Sequence, residues 1–179
     1  MKKWMLLILL LFAVFAGSII WAEQTLSPLR AQTETAWEAA DAAILRRAEL
    51  VPALTSQTGR YTSESQDAAH AAEEARQRIL DVSSREARMA AHDDLSSALG
   101  RLLLAADAYG GPGQDARYRE SRMDLAAADN ALAVARQGYN ESARQYNKEL
   151  QKFPGNRLGQ FLGFHPAPYF RVFRPGETE

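Results

Sequence analysis

Few residues in this 179-residue chain have the types and spacing that chemistry requires. His70, His92 and His165 lie in three separate segments, and cysteine is absent, which removes disulfides and thiolate chemistry. Asp67-Ala-Ala-His70 sets a carboxylate and an imidazole at i, i+3, on one face of a helix. That is half of a di-metal arrangement in a helical bundle. The other half needs a second such pair and glutamates from further helices, and no second pair exists. The pair therefore reads as a solvated helix face. No Ser, His and Asp grouping sits in a nucleophile-elbow context, and no glycine pattern suits a phosphate. Serine and threonine concentrate at expected caps and loops, as capping alone predicts. No catalytic, metal-binding or cofactor-binding residue is expected, and no enzyme.

Two polar constellations remain. Arg47 interrupts the apolar stripe of a long helix, on its core side. If that helix pairs antiparallel with the last one so that Trp37 faces Tyr139, position 47 comes opposite 129, where the sequence has Asp. A buried Arg47–Asp129 pair could fix the register of the two helices without adding stability; in the alternative both side chains reach solvent along the helix edges. The second constellation is ARQGYNESARQYNKELQKFPGN, residues 135–156, which writes Tyr-Asn at 139–140 and again at 146–147. Both tyrosines fall on the core stripe, and each asparagine sits one step off it. They are either buried aromatics with satisfied hydroxyls or a seam recognised by a partner helix, a candidate interaction face of Trp37, Tyr139, Asn140, Tyr146 and Asn147. Asn140-Glu141-Ser142 matches a glycosylation sequon, but its mid-helix position disfavours modification.

The elements that would position these residues begin with an apolar segment. After Met1-Lys2-Lys3 come 19 residues without a charge, WMLLILLLFAVFAGSIIWA. As a helix rising ~1.5 Å per residue, they match the roughly 30 Å hydrocarbon core of a bilayer. Trp4 and Trp21 stand near the ends, where indole rings favour the interfaces. Lysines before the segment and Glu23 after it put the N-terminus in the cytoplasm and the body outside, periplasmic or extracellular. A cleaved signal peptide is the rival, disfavoured by the long apolar run and by Ile20. Residues 1–24 are thus expected to be a signal-anchor contacting lipid through residues 4–22.

Ser27-Pro28 reads as a helix N-cap followed by proline at the first helical position, and marks a break or kink between anchor and body. A stripe through Leu26, Leu29, Thr33, Trp37, Ala40, Ile44, Val51 and Leu54 predicts a first long helix, bent locally by Pro52. Ser63 with Gln66 and Ser83 with Glu86 resemble capping boxes that open a second and a third helix. Their stripes are Ala68, Ala72, Ala75, Ile79, Val82 and Leu95, Leu99, Leu102, Ala106, Tyr109. Gly-Gly-Pro-Gly at 110–113 stops the third. Asp115 caps a fourth, through Leu125, Ala128, Leu132, Ala135, Tyr139, Ala143, Tyr146 and Leu150. The expectation is an all-α protein: a transmembrane helix, then an antiparallel up-and-down four-helix bundle over 25–153 whose first and last helices are the longer. Those two would extend as a stalk on the membrane side. An aromatic-rich tail follows at 154–179. Its Phe161, Phe164, Tyr169 and Phe170 could cap the bundle, lie at the membrane interface with Arg171 and Arg174, or dock a partner.

AWEAADAAILRRAELVPAL (36–54), LSSALGRLLLAADAY (95–109), AADNALAVARQGYNESARQYNKELQKFP (127–154) and GFHPAPYF (163–170) together resemble the LemA family. The resemblance implies a single-pass bacterial membrane protein with long antiparallel helices and no established enzymatic activity. Gly110-Gly111 departs from the family's Pro-Asp-type continuation, and Asp129 stands where the family usually has Glu. Lys and Arg (21) balance Asp and Glu (22), so no electrostatic case for nucleic acid arises. The expected function is a non-catalytic interaction or scaffold role, with a protein partner or self-association. The alternative is a ligand-sensing extracytoplasmic bundle that signals through a partner protein.

Overall fold

The computed structural model describes residues 2–59, 62–109 and 115–170, and all its regular elements are helical. They are α1 Lys2–Trp21, α2 Ser27–Glu49, α3 Val51–Thr58, α4 Ser63–Asp81, α5 Arg85–Tyr109, α6 Ala116–Leu150 and the short α7 Gly155–Leu158, with a π-helical turn at Ala22–Leu26. The glycine stop at 110–113 and the tail residues Arg171 and Arg174 lie outside the described residues. The chain divides into two compact units. One comprises Met1–Trp37 with Gln137–Glu179, the other Glu38–Arg136.

In the first unit, α1 is long and apolar enough to cross a membrane. Its large side chains from Trp4 to Phe15 are more than half exposed, a surface suited to lipid. Ser18, the polar residue near its end, turns its hydroxyl back onto the Val14 carbonyl at 2.7 Å, so no donor is left over. Ser27 does not cap a new helix as its sequence context suggests. It is in helical conformation, and its N–H bonds to the Ala22 carbonyl five residues back. The proline ring at 28 crowds the carbonyl four residues before it, and the wider π turn accommodates that conflict without ending the helix.

The second unit has its core where the stripes place it. Ala40, Ile44, Val51 and Leu54, then Ala68, Ala72, Ala75 and Ile79, then Leu95, Leu99, Leu102 and Ala106, then Leu125, Ala128 and Leu132 are all buried. α4 packs on both α5 and α3. Leu50 separates α2 from α3, and Pro52 sits in the first turn of α3, where its missing N–H costs nothing. Two caps fall one residue from their expected places. Thr62, in extended conformation, forms the capping box with Ser65. Ser84 accepts the Ala87 N–H at the head of α5. Adjacent hydroxyl residues compete at both sites, and the backbone turn chooses between them. Asp115 does cap α6, accepting the Arg117 N–H at 2.8 Å.

Candidate functional site: a clamped tail and a polar layer

α6 is 35 residues of mostly good helix formers, and its part in the first unit serves as a rail. In the first unit, Tyr139, Ala143, Tyr146 and Leu150 form its buried stripe, with Asn140 and Asn147 beside it. The chain's own residues 164–170 lie along this rail. Asn147 donates from Nδ2 to the Ala167 carbonyl and accepts the Ala167 N–H at Oδ1, both at 2.8 Å. Asn140 repeats the arrangement with Phe170, donating at 3.1 Å and accepting at 2.9 Å. Tyr139 donates its hydroxyl to the Pro168 carbonyl at 2.7 Å. Each asparagine therefore acts as one rung of a β-ladder supplied by a helix.

The spacing has a physical reason. Seven helical residues rise about 10.5 Å, and three residues of polyproline II or strand cover about 9–10 Å. Phe164, Ala167 and Phe170 are the buried tail positions, which is the three-residue period of polyproline II. Pro166 and Pro168 favour that extended form and have no N–H to satisfy. Ahead of it, Gly163 adopts φ +78°, and the Gly163 and Phe164 N–H groups return to the Gln160 and Gly159 carbonyls. This helix-terminating motif redirects the chain, and glycine suits its left-handed residue.

Aromatic packing completes the clamp. Trp37 meets Tyr139 edge-on at 5.5 Å and stacks on Phe170 at 5.9 Å, while Tyr139 and Phe170 are perpendicular at 5.5 Å. Arg30 lies over the Phe164 ring at 6.0 Å. Burial raises the pKa of the Tyr146 phenol, against the opposing pull of Arg30 and with a small push from Glu34, so it stays protonated. The sequence offers Phe161, Phe164, Tyr169 and Phe170 for capping the bundle, for the membrane interface or for a partner. The structure buries Phe164 and Phe170, because their rings fill the space between tail and helices. Phe161 and Tyr169 remain exposed. The face of Trp37, Tyr139, Asn140, Tyr146 and Asn147 carries the chain's own tail.

The second unit holds a separate polar layer. Arg47 is buried, and its Nε lies 2.5 Å from Asp129 Oδ1, while Nη1 donates to Ser96 Oγ at 2.7 Å. Ser96 in turn donates to the His92 carbonyl at 2.9 Å. His92 is buried, and Arg136 Nη1 stands 3.5 Å from its Nε2. Desolvation, with Arg47 and then Arg136 nearby, lowers the His92 pKa to about 3, so the ring is neutral at physiological pH. His92 is the residue sequence reasoning passed over. Its steps of three to Met89 and Leu95 mark it as part of the buried stripe of α5. Arg88 likewise reaches Asp41 at 3.1 Å and the Ile79 carbonyl. His70 and Asp67 are exposed, and among the described residues no group of three His, Cys, Asp or Glu could hold a metal ion.

These features define an all-helical protein with a membrane-length N-terminal helix and a tail clamped to its last long helix. The LemA family model matches residues 36–179, and the chain belongs to that family. Among curated proteins it is similar to magnetosome proteins MamQ 2 and MamQ 1 of Paramagnetospirillum magneticum, each 31% identical over 98 residues. MamQ of Magnetospirillum gryphiswaldense is 28% identical over 93 residues. The first two alignments cover 55% of this chain and 36% of the relative, and the third covers 52% and 34%. The chain thus matches about a third of the length of these relatives.

Proposed function

We propose that the protein is a non-catalytic interaction or scaffold protein, held in the bacterial inner membrane by α1 with its N-terminus cytoplasmic and its body outside. The anchor, a helical body arranged as an up-and-down bundle and the clamped tail are its three working parts. The observation that carries this reading is the use of the polar residues. Tyr139, Asn140 and Asn147 are spent on holding the tail, and Arg47, Asp129 and Ser96 on joining helices. Such residues build a shape to be recognised. The relatives it resembles are named for the magnetosome rather than for a reaction.

In-cell photo-crosslinking tests it, with the reactive residue at Met123 or Val134, large apolar side chains left exposed on α6. A discrete protein adduct, or a covalent dimer of the chain, supports the scaffold reading; the absence of any protein adduct at either position counts against it. The ligand-sensing alternative draws on an open cleft lined by Asn147, Gln151, Asn156, Gln160 and Phe164. A reproducible rise in melting temperature with a small molecule, abolished by Gln160→Ala, would favour it.

A further inference from the structure

Two large rings stand in the open just after α6: Phe153 is 75% exposed and Phe161 87%. Between them in sequence, Gly155 is pressed against the ring of Trp21, the last residue of α1. A Cβ added at Gly155 would meet Trp21 Cη2 at 3.0 Å and the Leu150 carbonyl oxygen at 2.7 Å. This contact fixes the segment 153–161 beside the exit end of the apolar helix, at the level where an indole ring favours the headgroup region. Exposed Ile20 adds to the apolar surface there. Charged residues close to this turn in sequence are Lys148, Glu149, Lys152 and Arg157, and Lys152 is ion-paired with Glu149. Arg30 lies at the Gly163 carbonyl and over the Phe164 ring just beyond it. Lys148, ahead of the turn, and Arg157, within it, are exposed cations.

We propose that the 153–161 turn is a second membrane contact, in which Phe153 and Phe161 enter the headgroup–acyl boundary beside α1 while Lys148 and Arg157 meet lipid phosphates. The inference rests on α1 spanning the bilayer. Aromatic rings flanked by cations suit that boundary, where one side is apolar and the other wet. Continuity with the span selects lipid as the occupant, because Trp21 ties the turn to the depth at which the helix leaves the membrane. The body would then stand on two feet, one spanning and one interfacial.

The chain has no cysteine, so single spin labels can be placed cleanly. Phe153→Cys, Phe161→Cys and Leu9→Cys would be made in the full chain and reconstituted into phosphatidylcholine–phosphatidylglycerol vesicles. Collision with oxygen and with a water-soluble nickel chelate is then measured at each label. The expected result is oxygen access without nickel access at Leu9, and at 153 and 161 a severalfold loss of nickel access relative to the label on a short peptide in buffer, with oxygen access retained. Aqueous behaviour at 153 and 161 with Leu9 in lipid overturns this inference and leaves the anchor standing. Shielding of both labels from both reagents also overturns it, since protein would then cover the turn. Nickel access at Leu9 overturns the anchor itself and the interfacial contact with it.

Discussion

Asn147 holds Ala167 by both of its main-chain groups, with two bonds of 2.8 Å closed by one side-chain amide. Both bonds are buried. Removing the amide in Asn147→Ala leaves a donor and an acceptor unsatisfied, at about 1–3 kcal/mol each. Tail docking should weaken by up to roughly 2–6 kcal/mol, read as faster hydrogen exchange at the Ala167 amide. Asn147→Asp keeps the acceptor but sets a carboxylate oxygen against the Ala167 carbonyl, and should weaken docking at least as much as the Ala variant. Unchanged exchange in Asn147→Ala would show that Asn140, Tyr139 and the aromatic contacts hold the tail without it.

The ion pair of Arg47 and Asp129 gives a second test. Arg47 is buried and Asp129 is partly exposed, so Asp129→Ala strands a charge that is mostly out of water. It should destabilise by about 1–3 kcal/mol, and the double-mutant cycle with Arg47→Ala should show coupling of roughly 1 kcal/mol or more. Additive losses in urea titrations would mean that the pair does not couple the two helices.

His92 predicts a pH dependence. The folded state keeps the ring neutral down to about pH 3, whereas the unfolded chain binds a proton near pH 6.5. Unfolding therefore takes up a proton in that window, and stability falls as pH drops from 6.5 toward 3, by up to about 1.4 kcal/mol per pH unit. His92→Gln should reduce the slope of unfolding free energy between pH 4 and 6. An unaltered slope would assign the acid sensitivity to other groups.

Gly155 is a site of close approach. A methyl group there collides with the Leu150 carbonyl oxygen at 2.7 Å, which is backbone and cannot swing aside, and crowds Trp21. Gly155→Ala should cost about 1–3 kcal/mol and change the fluorescence of Trp21 in a chain whose other tryptophans are replaced by Phe. A parent-like melt with unchanged emission would mean that the turn shifts freely.

The helical character of the chain was legible because steps of three and four carry it. Ile44, Ile79, Leu95, Leu102, Leu125 and Tyr139 all lie on stripes visible in the sequence, and all are buried. The π turn was not legible, since Pro28 signals conflict with the preceding turn but not how the backbone resolves it. His92 was missed because a polar type is not counted in an apolar stripe, even though its spacing fits one. The fate of the asparagines was half visible: their heptad repeat marked them as special. Nothing in local sequence says that a segment twenty to thirty residues later folds back to use them. That pairing depends on Gly163 turning the chain and on Phe164, Ala167 and Phe170 finding room along α6.

The match of seven helical residues to three extended ones works as a gauge. A one-residue insertion between Asn140 and Asn147 would swing one amide about 100° around the helix, out of reach of the tail, while leaving α6 helical. The same insertion would carry Trp37's partner Tyr139 and the second tyrosine, Tyr146, out of phase with each other. Length within this stretch is thus quantised. The segment could grow only by whole heptads of helix, each answered by three more residues of tail.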